Sequence, residues 1–247
     1  MKNRKTILPF IAFTVGIALV IFSFWFLLFP LPKTTPKRQE NARTNSVLSV
    51  YSMQEMQVFS AQNIEPMLSE ALPKGQFRIP EIQQRFTTLR QQCFERYTND
   101  IVFEMAIHYQ GKSRDVLAGC LIKNGVPTVQ LRVPAIMDVF GEMKRENGSE
   151  RFEYTLLILT IHELDHLAHG YVSKGLTQSF TFTNFIANEK KTWALTCEHT
   201  IRPLLEKYDA PLSFSERVYY EQWTNANRDV NHPGWETFIR SYYQKTQ

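Results

Sequence analysis

Glycine is scarce in this sequence, at 10 of 247 residues, where a globular chain usually has about 7%. Such a chain is neither collagen-like nor of low complexity. The glycines never occur as G-x-G or as G-x-S-x-G, which excludes the dinucleotide-binding fingerprint and the serine-hydrolase elbow. Gly111-Lys112-Ser113 resembles the end of a phosphate-binding loop, but Ala106 stands where that loop requires its first glycine.

An excess of positive charge on the folded part of the chain is also missing. The whole sequence has a formal net charge of +4, from 28 lysines and arginines against 24 acidic residues. Seven of the basic residues and one acidic residue lie before residue 44, so the remainder carries 21 basic and 23 acidic side chains. A nucleic-acid-binding surface needs its basic residues on the folded domain. We therefore expect no nucleic-acid partner.

The N-terminus contains one long stretch without charge, residues 7–29. A helix of that length can cross a hydrocarbon layer of about 30 Å. The stretch is longer than the apolar part of a signal peptide, and no small-residue cleavage site follows it. The sequence therefore predicts a short tail (1–6), a transmembrane helix (7–29) in the lipid bilayer, a polar linker (30–46) and one folded domain (47–247).

The orientation of this anchor follows from the basic residues on its two sides. The tail carries Lys2, Arg4 and Lys5 close together, whereas the linker spreads four basic residues over a longer stretch. Because lysine and arginine favour the cytoplasmic side, we expect the tail inside. The chain is then a single-pass membrane protein whose folded domain is extracytoplasmic.

Most of the folded domain has the apolar periodicity of helices, close to 3.6 residues. Gly170 suits the left-handed position that ends a helix, and Pro-Lys-Gly at 73–75 interrupts another. Helical segments are predicted at 47–72, 81–98, 135–146, 150–169, 180–206, 214–227 and 234–245.

Three short segments between these helices favour strands, at 101–109, 115–123 and 127–133. Asn124-Gly125 joins the last two, and both residues tolerate the positive φ that a tight hairpin requires. The sequence therefore predicts an α+β domain that is mostly helical and contains a small antiparallel sheet.

Three of the six histidines lie between residues 162 and 169, and His-Glu-Leu-Asp-His at 162–166 forms an H-E-x-x-H pattern. Residues four apart share one face of a helix, so His162 and His166 can bind one metal ion. Glu163 points about 100° away from them. It can take a proton from a water on that metal, because a bound zinc ion lowers the pKa of the water.

With this motif on an apolar helix, the sequence resembles the zincin metallopeptidases. The resemblance implies a zincin-like fold, a Zn²⁺ cofactor, a peptide or protein substrate and a third ligand on the next long helix. In the glutamate-ligand branch this residue stands in an N-E motif, which matches Asn188-Glu189. The resemblance also makes the strand at 128–133 the candidate edge for an extended peptide.

One position departs from the pattern of that branch. An aspartate often follows the ligand glutamate by four residues and orients a ligand histidine, but here that position is Trp193. The orienting role then requires another residue. Glu198 and His199, on other faces of the same predicted helix, remain alternative ligands.

A second resemblance is to the peptide deformylases, whose third motif is similar to His-Glu-Leu-Asp-His-Leu at 162–167. Their metal also takes a cysteine from an upstream E-G-C-L-S segment, and this chain has Ala-Gly-Cys-Leu at 118–121. This resemblance implies Cys120 as a thiolate ligand. However, Ile122 replaces the serine of that segment, and the glycine-rich motif of the family is absent.

Together these features predict a membrane-anchored, zinc-dependent hydrolase, and specifically a peptidase. His162, His166 and Glu189 are the expected metal ligands, and Glu163 is the expected general base. Two alternatives stay open: a non-catalytic anchored binding or assembly protein that keeps the fold, and a deformylase-like amidase that uses Cys120.

Overall fold

A computed structural model describes residues 51–107, 117–144, 149–172 and 181–245, all within the unit Ser46–Gln247. Its α-helices are α1 (Met53–Asn63), α2 (Pro80–Tyr97), α3 (Val133–Lys144), α4 (Ser149–His169), α5 (Phe182–Thr196), α6 (Arg202–Glu206), α7 (Phe214–Asn225) and α8 (Pro233–Lys245). Two π-helical segments are Pro66–Ala71 and Cys197–Ile201. The strands are β1 (Val102–Met105), β2 (Ala118–Lys123) and β3 (Val126–Leu131).

The segments predicted as helices are largely confirmed, and local sequence explains where several of them begin. Ser52 accepts a hydrogen bond from the Glu55 backbone N–H, and the Glu55 carboxylate accepts one from the Ser52 backbone, which forms a capping box at the start of α1. Pro134 lies in the first turn of α3, where the missing N–H costs no hydrogen bond. The structure therefore agrees with the predicted mostly helical α+β class.

Helix α4 lies at the centre of the domain, packed against α2, α3, α5 and strands β2 and β3. The charged pair of Arg85 in α2 with the fully buried Asp165 of α4 joins these two helices. Further along, Tyr97 donates to the carbonyl of Leu167, and Arg96 donates to that of Ala168. Helix α2 thus donates to two of the last carbonyl groups of α4, where the helix has few donors of its own.

The predicted helix at 180–206 is one continuous helical stretch, composed of α5, the π-helical segment Cys197–Ile201 and α6. Pro203 stands just after the π-helical segment. It lacks the N–H that an α-helix would direct to the carbonyl four residues earlier, and the wider turn accommodates this defect. The stretch therefore runs past the centre of the domain without ending.

The sheet is mixed, which corrects the prediction of an antiparallel sheet. The predicted hairpin is present: β2 and β3 pair antiparallel, and Asn124 and Gly125 between them have φ values of 53° and 83°. Strand β1, however, pairs parallel with β3, so the strand order is β1-β3-β2. Alternating apolar residues identify strands but do not determine which edge of a hairpin a third strand joins.

The predicted tail, anchor and linker (residues 1–46) lie outside the described residues. Among the helices of the described part of the chain, none combines the length and the apolar character needed to cross a membrane. The three cysteines are free thiols, with Cys93 and Cys197 buried and Cys120 partly buried.

Gly170 ends α4 as predicted, with a φ of 70°. The Tyr171 N–H bonds to the carbonyl of His166 and the Gly170 N–H to that of Leu167, which is a Schellman motif. A Cβ at Gly170 would lie 2.6 Å from Nη1 of Arg96. Alanine there would therefore strain the backbone and displace a guanidinium that caps the helix.

We expect Gly170→Ala to lower the free energy of unfolding by about 1–3 kcal/mol, measured by urea denaturation of the full chain. Gly125→Ala is the control for the backbone term alone, because Gly125 also has positive φ but no atom of the described residues within 4 Å of its added Cβ. Gly141→Ala, in helix α3 and likewise without a contact from the described part of the chain, should stabilise by up to ~1 kcal/mol. A Gly170→Ala variant as stable as the wild type would contradict the structure at this turn.

Candidate metal centre

The H-E-x-x-H motif lies in the last part of α4, inside the domain. His162 and His166 are each 4% exposed and Glu163 is 8% exposed. The buried apolar residues just before the motif are Leu156, Leu157, Ile158 and Ile161. They hold this helix in the core together with the polar side chains that follow. Buried polar groups are costly unless they are paired, so the neighbours of these side chains decide what the site can do.

Helix α5 places Glu189 directly opposite the two histidines. Glu189 is 7% exposed, and its Oε2 lies 3.3 Å from Nε2 of His162 while its Oε1 lies 3.2 Å from Nε2 of His166. The two imidazole Nε2 atoms are 3.2 Å apart. The structure therefore brings together the three residues that the sequence predicted as ligands, and among the described residues they form the only His/Cys/Asp/Glu cluster compact enough for one metal ion.

The spacing of these atoms fits a tetrahedral ion. In a tetrahedron two ligand atoms lie about 1.63 bond lengths apart, so bonds of ~2.0–2.1 Å place them about 3.3–3.4 Å from each other. The observed separations of 3.2 and 3.3 Å are close to this value, with each histidine facing a different oxygen of the Glu189 carboxylate. Two imidazoles and one carboxylate are also a ligand set that zinc enzymes use, with the fourth position left for water or substrate.

The electrostatics of the cluster keep Glu189 negatively charged. Burial alone would raise the pKa of Glu189, but the adjacent His166 and His162 outweigh burial and hold it well below its usual range. For His166, burial acts to lower the pKa, yet the charge of Glu189 and a hydrogen bond to it raise the pKa above its usual value. The site thus has a permanent anion facing two nitrogen ligands, an arrangement that favours a divalent cation.

Two threonines of α5 contact the far nitrogens of the histidine rings. Oγ1 of Thr196 is 3.3 Å from Nδ1 of His162, and Oγ1 of Thr192 is 3.1 Å from Nδ1 of His166. Each hydroxyl also donates to a backbone carbonyl one turn earlier, Thr192 to Asn188 and Thr196 to Thr192, both at 3.0 Å. No sequence motif indicated these threonines, although their spacing of three and seven residues after Glu189 places all three on one helix face.

The third ligand is also held by a hydroxyl group. Tyr243 of α8 donates to Oε2 of Glu189 at 2.5 Å, and it accepts a hydrogen bond of 3.0 Å from Nε1 of Trp193. Trp193 also lies against the ring of His162, with centroids 4.2 Å apart. The tryptophan that departs from the family pattern therefore supports the site by packing and through Tyr243.

The alternative ligands on the same helical stretch lie elsewhere. Glu198 pairs with Arg202 at 2.5 Å and accepts a hydrogen bond from Trp223. His199 is exposed. Neither residue joins the cluster of His162, His166 and Glu189.

Cys120 of β2 lies beside Glu163 and outside the ligand cluster. Burial and the charge of the Glu163 carboxylate raise the pKa of Cys120 well above its usual range. A thiol must lose its proton to bind a metal, so this position favours a neutral cysteine. Strand β2 packs against α4, which explains why the two residues meet.

Comparisons of the chain with protein-family models, with curated proteins and with solved structures found no match. The proposals below therefore rest on the sequence and on the geometry of the site.

We expect the full chain to bind one Zn²⁺ per molecule, and Glu189→Ala to weaken this binding by at least ~100-fold. The reason is that a residue that only contacts a metal ligand typically contributes 10–100-fold to the affinity, and loss of the ligand itself weakens binding more. Competition with a chromophoric chelator measures the affinity. The matched controls are Glu198→Gln, His199→Ala and Cys120→Ser, which remove the alternative ligands and should leave the affinity unchanged. A large loss in any control, with Glu189→Ala unaffected, would assign the third ligand to that residue instead.

Proposed function

We propose that this protein is a zinc-dependent hydrolase of peptide bonds, with His162, His166 and Glu189 as metal ligands and Glu163 as the general base. The observation that carries the proposal is the convergence of two imidazole nitrogens and one carboxylate at separations of 3.2–3.3 Å. The next residue along α4, Glu163, is a carboxylate outside this triangle. The resemblance to the zincin metallopeptidases agrees with this arrangement and stays a prediction.

The proposed reaction adds water across an amide bond. Zn²⁺ in this site would acidify a water molecule and polarise the carbonyl group of the substrate. Glu163 would accept a proton from the attacking water, and its carboxylic acid would return that proton to the amide nitrogen as the carbon–nitrogen bond breaks, so that the base is regenerated. Glu189, His162 and His166 would hold the metal ion.

The strand next to the motif supports an extended peptide as the substrate. The strand predicted for this purpose, at 128–133, falls mainly in β3, which is the central strand. That expectation was wrong, because both edges of β3 are paired. Strand β2 is instead an edge strand of the described sheet and packs against α4. A peptide that pairs with the outer edge of β2 would lie alongside Glu163.

A non-catalytic binding or assembly protein remains the second candidate, because such a protein could keep the same metal ligands. The ligand side chains are 4–7% exposed, and a metal held so deeply can serve structure alone. Glu163 separates the two functions, since a structural site has no use for a base beside it.

We expect Glu163→Gln to bind Zn²⁺ as the wild type does and to lose peptide hydrolysis by about 10²–10⁴-fold, the usual contribution of a general base. A library of quenched fluorescent peptides measures the hydrolysis, and chelator competition measures the zinc. Glu153→Gln is the matched control, because Glu153 lies on the same helix and pairs at the surface with Arg78. If the zinc-loaded wild type cleaves no peptide of the library, the binding function replaces the enzymatic one.

We also propose that residues 7–29 anchor the enzyme in a membrane and hold the folded domain on the extracytoplasmic side. The support is the absence of charge over this stretch and the basic tail before it. The full chain should stay in the membrane fraction after alkaline carbonate extraction, and a variant lacking residues 7–29 should be released. Release of the full chain by carbonate would contradict the anchor.

A further inference from the structure

We propose that three uncharged hydroxyl groups, those of Thr192, Thr196 and Tyr243, position the three metal ligands. Each ligand side chain has one of these groups as its outer partner. They take the place of the carboxylate that commonly supports a metal-bound imidazole. This inference rests on the metal site proposed above, but not on its being catalytic.

The hydrogen bonds of the threonines have a fixed direction. A hydroxyl has a single proton, and Thr192 donates it to the carbonyl of Asn188 while Thr196 donates it to that of Thr192. Each threonine hydroxyl therefore accepts a hydrogen bond from Nδ1–H of the imidazole, through one of its lone pairs. A ring protonated at Nδ1 has its free lone pair on Nε2, and Nε2 is the atom that faces Glu189 in both histidines.

The direction of the tyrosine hydrogen bond is fixed in the same way. The indole N–H of Trp193 can only donate, so Tyr243 accepts there and its own proton goes to Glu189. This bond holds one carboxylate oxygen while leaving the charge of Glu189 in place. The metal site thus depends on α8, a helix more than 40 residues away along the chain from Glu189.

Hydroxyl groups have a physical advantage over carboxylates as partners of the two histidines in this buried site. Glu163, Asp165 and Glu189 are already buried here, and a carboxylate behind either histidine would add a further buried anion, whose desolvation is costly unless it is fully paired. The threonine hydroxyls orient the rings without adding charge, and their own protons are satisfied by the backbone of α5. Within the ligand set, the only negative charge is that of Glu189.

The test is the affinity of the full chain for Zn²⁺, with no substrate present. Thr192→Val and Thr196→Val keep the shape of the side chain and remove the hydroxyl, and each should raise the dissociation constant by about 10–100-fold. Thr192→Ser and Thr196→Ser restore the hydroxyl and should return the affinity close to that of the wild type. Tyr243→Phe, which removes one oxygen from a different helix, should weaken binding to a similar extent.

Thr200→Val is the matched control, because Thr200 is fully buried on the same helical stretch and its Oγ1 has no hydrogen-bond partner among the described residues. It should bind Zn²⁺ as the wild type does. Valine variants that are folded by circular dichroism and still bind zinc normally would overturn the proposal, and so would an equal loss in Thr200→Val. If the valine variants do not fold, Tyr243→Phe decides: weaker Zn²⁺ binding supports the proposal, and unchanged Zn²⁺ binding overturns it. Because no turnover is measured, a failure of the hydrolase proposal leaves this test intact.

Discussion

Burying two imidazoles and a carboxylate costs free energy unless each finds a partner, and the pairing of α4 with α5 supplies those partners. His162 and His166 come from one helix, and Glu189 comes from the other. The same face of α5 that carries Glu189 also carries the threonines behind the rings. The rest of the domain holds these two helices in register: α2 caps the end of α4, the sheet packs on its side, and α8 closes over α5.

Much of this arrangement could be predicted from the sequence because it depends on local spacing. Two histidines four residues apart on an apolar helix must share a buried face, and the helix boundaries follow from prolines, caps and Gly170. Glu189 could be predicted as the third ligand only from the resemblance to the zincin metallopeptidases. The basic excess of the sequence also lies at the N-terminus and leaves a slightly acidic remainder, a distribution that argues against a nucleic-acid surface on the folded domain.

The remainder depends on contacts between distant segments, which a spacing pattern does not contain. Strand β1 pairs parallel with β3, so the sheet is mixed and β3 is its central strand. The edge strand that packs against α4 is therefore β2. The threonines could not be predicted as outer partners from the sequence, because threonine is common in helices. Only the fold places Nδ1 of His166 3.1 Å from the hydroxyl of Thr192. Tyr243 lies 54 residues from its partner Glu189, and Trp193, which weakened the family pattern, contributes through that tyrosine.

X-ray absorption at the zinc edge of the zinc-loaded full chain tests the central claim most directly, because it reports the atoms around the metal. The account predicts a four-coordinate ion with two imidazole nitrogens and two oxygens, one from Glu189 and one from water, at ~2.0–2.1 Å. A sulfur ligand at about 2.3 Å would place Cys120 on the metal and contradict the ligand set. A third imidazole in place of the carboxylate oxygen would contradict it as well.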